Sequence, residues 1–357
     1  MTSTRPRVRL FNPGVLAALA AAALFGLSTP LAKQLLSAVN PWLLAGLLYA
    51  GSGIGLTTVR LIRPAAPVHL TQADRWYLVG VIAAGGVAAP VLLMTALAQM
   101  PAAGASLLLN AEGVFTALLA WFVFRENVDR RVALGMLAIV AGAVVLSWST
   151  QASVRQAWPA ILVLAACLAW AIDNNLTRKL SLHDATWLAA IKGVVAGAVN
   201  LVIATGSGAE WPSLSGTVWA LIIGAFAYGL SLVLFVVGLR NLGAARTTAY
   251  FSTAPFVGAL VSLVWLHELM TIQMVLAAAL MGIGVWLHLT ERHDHTHHHP
   301  ELEHSHEHEH DEHHQHAHSA ETLEGSAGAR HTHWHRHEPV THAHPHFPDA
   351  HHQHEHD

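Results

Sequence analysis

The sequence predicts an all-α integral membrane protein: ten transmembrane helices as two inverted five-helix repeats, followed by a disordered histidine-rich tail. Three observations predict it. Hydrophobic residues make up 53% of the chain and charged residues 11%, too apolar for a water-soluble fold. Polar residues are segregated, with 14 of the 22 Asp+Glu and 24 of the 28 histidines lying in residues 291–357. Finally, residues 97–142 and 239–284 carry one pattern without a gap, 142 positions apart. Leu97 matches Leu239, Ala102 and Ala103 match Ala244 and Ala245, and Ala117 and Leu118 match Ala259 and Leu260. Glu126 matches Glu268, Leu134 matches Leu276 and Gly142 matches Gly284. Each copy is an apolar run of membrane length, a lone glutamate and a second apolar run.

A bilayer core needs about 20 apolar residues per helix. Ten segments meet that length: 14–36, 41–62, 77–98, 102–124, 132–149, 159–177, 186–204, 215–238, 243–266 and 271–289. They divide the chain into an N-terminal segment (1–13), a first repeat (14–149), a second repeat (150–290) and a tail (291–357). The first span follows Arg5, Arg7 and Arg9 but is not a cleaved signal, because residues 25–33 continue the helix and have a counterpart in 170–178. No soluble domain interrupts the spans, so a water-facing enzyme site has no place. The single cysteine, Cys167, excludes a disulfide framework and a thiolate cluster.

Orientation follows from the basic residues. With the N-terminus inside, Arg60, Arg63, Arg75, Arg125, Arg130, Arg131, Arg178, Lys179, Arg240 and Arg246 are also cytoplasmic, and the opposite loops hold almost nothing basic except Arg155. Both termini are then cytoplasmic, in a membrane of the bacterial inner type. Five spans per half is odd, so the second repeat is inverted and the matching glutamates face opposite sides. Gly51-Ser52-Gly53-Ile54-Gly55, and Gly135, Gly142, Gly282 and Gly284, read as places of close helix approach. A homodimer is allowed but not indicated by them.

The fourth and ninth spans end on Phe124-Arg125-Glu126 and Leu266-His267-Glu268, and the ninth carries Pro255 where the fourth has Gly113. In this pattern the chain resembles the EamA family of the drug/metabolite transporter superfamily over about residues 14–290. The resemblance implies a transporter. It leaves the substrate open, because that family covers amino acids, sugars, nucleotide derivatives and drugs. Arg125 and His267 stand where family members have a small residue before the glutamate.

Ionised groups at mid-bilayer cost about 2.5–3.5 kcal/mol each on insertion scales, so those present need a reason. Glu112 lies mid-span beside Asn110; Asp173, Asn174 and Asn175 cluster in the sixth span; Lys192 and Lys33 lie in the seventh and first. These seven are the candidate substrate or proton pathway. An Asp173–Lys192 ion pair is expected, and Lys33 is near enough to a helix end to snorkel. Glu126 and Glu268, at span ends, are expected to cap the next helix or meet a loop arginine. No G-x-x-x-x-G-K-[ST] loop occurs, so a proton gradient or exchange is the expected energy source.

The tail has no apolar pattern and is expected to be disordered. Histidines at alternate positions, among them His304, His306, His308, His310, His313, His314, His331, His333, His335 and His337, suit Zn, Ni or Co at several weak sites. No cofactor is required. The expected partners are a small-molecule or ion substrate and membrane lipid, not nucleic acid. Three functions compete: a proton-coupled or exchanging solute transporter, an exporter by preference; a divalent-metal transporter whose tail senses or delivers metal; and a membrane metal buffer that does not transport.

Overall fold

The computed structural model describes residues 13–63, 68, 70–124, 130–148, 154–180, 183–242 and 244–289, with 294–299, 302–308, 331–337 and 340–345 in the tail. The chain divides into two compact units, residues 1–291 and 292–357.

The first unit is helical throughout its described elements. It opens with α1 (Pro13–Leu35) and α2 (Pro41–Ile62). A composite third rod follows, made of α3 (Gln72–Val81), a π-helical turn π1 (Ile82–Ala88) and α4 (Ala89–Leu97). The fourth is broken into α5 (Ala102–Leu108) and α6 (Ala111–Phe124), and α7 (Arg130–Ser147) closes the half. The second half repeats this order: α8 (Val154–Lys179), α9 (Ala185–Gly206), then α10 (Leu214–Ile223), π2 (Gly224–Leu230) and α11 (Ser231–Leu242). It ends with α12 (Ala244–Phe251), α13 (Ala254–Trp265) and α14 (Ile272–Leu289).

Local chemistry sets the helix starts. The Asn40 side chain accepts from Trp42 N at 2.9 Å with Pro41 at the first helical position, and Thr71 and Asp74 form a reciprocal capping box. That box starts the third rod at Gln72, ahead of the expected residue 77.

Among the described residues, eight helices are long and apolar enough to cross a membrane. At the ninth and tenth expected positions stand two shorter apolar helices, Ala254–Trp265 and Ile272–His288. The ninth is shortened by a break at Ser252 and Thr253, just before Pro255, which lacks an N–H to continue the ladder. The fourth rod breaks within one residue of the equivalent place, at Leu109 and Asn110. The two π turns are also 142 residues apart. The duplication thus reaches the irregularities of the backbone as well as the helices.

Equivalent helices of the two halves pack on each other, α2 on α9 and α7 on α14, and α5 of the fourth rod packs on α13 of the ninth. Small residues permit it. A Cβ on Gly193 would lie 2.7 Å from Gly53 Cα, one on Gly142 2.8 Å from Met281 Cγ, and one on Gly284 2.6 Å from Gly135 O. In lipid such close backbone approach drives association. Exposed tryptophans, including Trp76, Trp121, Trp148, Trp158 and Trp265, sit toward helix ends, as in the aromatic belts of membrane proteins.

The tail differs from expectation. Residues 294–299 (β1) pair antiparallel with 340–345 (β4), and 302–308 (β2) with 331–337 (β3). The lack of an apolar core excludes a packed domain. It does not exclude a backbone ladder, and alternating His-x-His matches the period of a strand. His304, His306 and His308 lie opposite His335, His333 and His331, and His337 lies opposite Leu302. His310, His313 and His314 fall outside the described residues, as do Arg125, Glu126, His69 and the basic N-terminal segment.

Candidate functional site

Two intramembrane charges, Asp173 and Lys192, meet where α8, α9 and π1 touch. Asp173 on α8 is 3% exposed and forms an ion pair with Lys192 on α9. Thr177, one turn along α8, donates to the same carboxylate at 3.1 Å. The pair expected between Asp173 and Lys192 is therefore present, with an additional hydroxyl donor.

Two glycines shape the seat for it. Asp173 rests against Gly85, where a Cβ would have no room, and a Cβ on Gly86 would lie 2.6 Å from Ala196 and 3.6 Å from Lys192 Cγ. Both glycines lie inside π1. A π turn widens the helix and displaces carbonyls from the regular ladder, and such turns are frequent at functional sites. Gly85 O accepts from Tyr49 Oη at 2.6 Å and from Trp170 Nε1 at 3.1 Å, and Gly86 O accepts from Asn200 Nδ2 at 3.1 Å. Tyr49, Trp170, Asn200, Gly85 and Gly86 are thus site residues that sequence reasoning missed. The signal available was the Gly85-Gly86 doublet in the middle of an apolar run.

Glu112 lies in the first turn of α6, just past the break in the fourth rod. Asn174 Nδ2 donates to Glu112 Oε1 at 2.8 Å and stands 3.5 Å from Thr116 Oγ1. Asn175 points elsewhere, donating to Thr116 O at 3.2 Å and Ala171 O at 2.9 Å. Asn110 caps the end of α5, donating to Leu107 O at 2.9 Å. The polar residues of the sixth span therefore split into distinct tasks: Asp173 holds Lys192, Asn174 holds Glu112, and Asn175 ties α8 to α6.

Asn174 lies on the inward face of α8. Val163, Cys167 and Trp170 form a buried stripe along α8, and Asn174 continues it at helical spacing. The opposite face, with Ile161, Leu168 and Ile172 exposed, is the lipid side. Asn174 is nonetheless exposed and Glu112 half-buried. Beside the cluster runs a chain of rings: Tyr49 to Tyr228 at 5.7 Å, Tyr228 to Phe25 at 5.7 Å, Phe25 to Phe251 at 5.4 Å and Phe251 to Phe235 at 5.0 Å. The site thus offers two carboxylates, one ammonium and an aromatic wall.

Lys33 is not brought to this cluster. Its Nζ donates to Leu97 O at 2.6 Å and Met100 O at 2.9 Å, beyond the end of α4. Glu268 corrects an expectation. It caps neither the following helix nor an arginine; its carboxylate accepts from Ala102 N at 2.7 Å and Ala103 N at 2.8 Å, at the start of α5 in the other half.

Known proteins share this organisation. The model of the EamA-like transporter family matches residues 12–148 and again 157–290, one match per half. An uncharacterized transporter of Methanothermobacter thermautotrophicus is 29% identical over 293 residues, covering 77% of this chain and 85% of its own length. A probable amino-acid metabolite efflux pump of Salmonella typhimurium is 35% identical over 86 residues, 24% of this chain and 29% of that protein. A crystal structure 18% identical in sequence superposes with a TM-score of 0.59 over 77% of this chain and 98% of the other, which shows a shared fold.

Proposed function

This chain belongs to the EamA-like transporter family, and on that premise we propose that it is a secondary active transporter of a small organic solute, working by proton coupling or exchange, as an exporter. The observation that carries the reading is the pairing of Glu112 with Asn174 on the inward face of α8, next to the Asp173–Lys192 pair. An ionised group inside a membrane bundle marks a solute or proton path. The break in the fourth rod beside Asn110 and Glu112 supports the reading, because secondary transporters hold substrates at discontinuous helices. The ten-span inverted topology, with both termini cytoplasmic in an inner membrane, rests on the duplicated pattern and the basic loops. An active C-terminal reporter on the outer side would overturn that topology.

The test of the site is Glu112→Gln in proteoliposomes, against a panel of amino acids and organic cations. Transport is expected to be abolished with insertion retained. Wild-type rates from the variant would refute the reading.

The histidine tail supports a second reading, transport of a divalent metal. The donor sets separate the two. Among the described residues no group of three His, Cys, Asp or Glu side chains converges, and the interior site pairs its carboxylates with an amine and an amide instead. The interior therefore suits an organic solute, and we assign the tail to binding Zn, Ni or Co outside the membrane.

A further inference from the structure

We propose that Glu268 and Lys33 form a latch that holds one end of the transporter shut, with the start of α5 as its catch. The inference rests on the transport reading above. Three chain segments, distant in sequence, meet at this end: the end of α1 with Lys33, the junction from Leu97 to Ala103, and the loop after α13. Glu268 uses both carboxylate oxygens on the Ala102 and Ala103 amides, and Lys33 uses its ammonium on the Leu97 and Met100 carbonyls. The α4–α5 junction is thus clamped from both sides, donors by an anion and acceptors by a cation. Charged hydrogen bonds of this kind are the strong ones.

Backbone geometry aims the carboxylate. His267, directly before Glu268, has φ 53°, and it is the one non-glycine residue with positive φ among the described residues. That left-handed residue stops α13 and turns the chain toward α5. A cleft of about 420 Å³ at this end is lined by the two clamp residues, Lys33 and Glu268, with Gln34, Ser37 and Leu266.

Inward of the clamp the helices are in close contact. A Cβ on Gly258 of α13 would come within 2.8 Å of both Gly26 O on α1 and Ser106 Oγ on α5. The three helices meet one turn below Ala102. The bundle is thus closely packed inward of the clamp. Release of the clamp is what separation of α5 from α1 and α13 requires. Glu268 is accordingly a positioning residue that acts through α5 and does not touch the solute.

Ser106 supplies the test, because it is 1% exposed and its hydroxyl makes no hydrogen bond among the described residues, so Ser106→Cys forfeits none. With Cys167→Ser it becomes the single thiol. The full chain in oriented vesicles is labelled with a membrane-impermeant methanethiosulfonate applied to the Glu268 face. Labelling is expected to be slow with Glu268 intact and to accelerate at least about tenfold in Glu268→Gln, whose amide can accept from one N–H and must present its own NH₂ to the other. Lys33→Met, which leaves Glu268 on its amides, should accelerate labelling as well, and it decides the matter if Glu268→Gln does not insert. Fast labelling of the parent, or rates unchanged in the inserted variants, would overturn the latch. The assay needs no substrate, so it stands apart from the fate of Glu112→Gln.

Discussion

Removing Lys192 alone leaves Asp173 buried with one hydroxyl donor from Thr177, and that state is the severe one. Asp173 is 3% exposed, and its carboxylate is wedged against Gly85. Stripping the partner from a buried ion pair costs about 3–5 kcal/mol, because the remaining charge is uncompensated. Lys192→Met should therefore lower the melting temperature of the detergent-solubilised protein by on the order of 10 °C. Asp173→Asn is milder, about 1–3 kcal/mol, because the Lys192 side chain is 21% exposed and its ammonium can turn toward water. The double variant Asp173→Asn/Lys192→Met removes both charges together and should lie within about 1–2 kcal/mol of the parent, since buried pairs are often replaceable by uncharged groups. The cycle thus has a favourable coupling of about 4–5 kcal/mol at the middle of those ranges. Thermal unfolding followed by size-exclusion chromatography measures all four corners. Additivity within about 0.5 kcal/mol would refute the pairing as a source of stability. Transport by the double variant then assigns the pair's role: activity restored along with stability makes it structural, and stability without activity places it on the solute path.

Gly85→Ala inserts a methyl group where the Asp173 carboxylate sits, so it should destabilise by about 1–3 kcal/mol and suppress transport, whereas Gly113→Ala, with nothing within 4 Å of its Cβ, should do neither; equal melting temperatures for the two would show that π1 does not seat the ion pair. In the tail, Zn binding requires neutral imidazole, so it should be present above and lost as pH falls through about 6.5. Isothermal titration of the full chain at pH 7.5 and 5.5 tests this, and a chain ending at residue 290 should lose the Zn signal while retaining the melting temperature of the helical unit.

The Asp173–Lys192 pair was legible in the sequence because charges in lipid have few places to go, and a lysine and an aspartate in adjacent spans are natural partners. Glu112 stood out for the same reason. Its partner did not. Three polar residues in a row, Asp173, Asn174 and Asn175, point in three directions around α8, and the rotation of that helix alone decides which of them meets Glu112. Lys33 was legible as a lysine near a helix end, but only the structure puts its ammonium on the Leu97 and Met100 carbonyls.

What the sequence determined by itself was everything that depends on composition along the chain: membrane-length apolar runs, the 142-residue duplication, the close-packing glycines of α2, α7 and α14, and the separate polar tail. What only the tertiary structure decided was which faces meet. In water an amphipathic helix declares its buried side by its polar one. In lipid both sides are apolar: Leu168 faces outward and Val163 inward, and nothing in their chemistry tells them apart. Contacts such as Glu268 on the amides of Ala102 and Ala103, and the π1 carbonyls gathering Tyr49, Trp170 and Asn200, join residues far apart in the chain through helix rotations that no local pattern encodes.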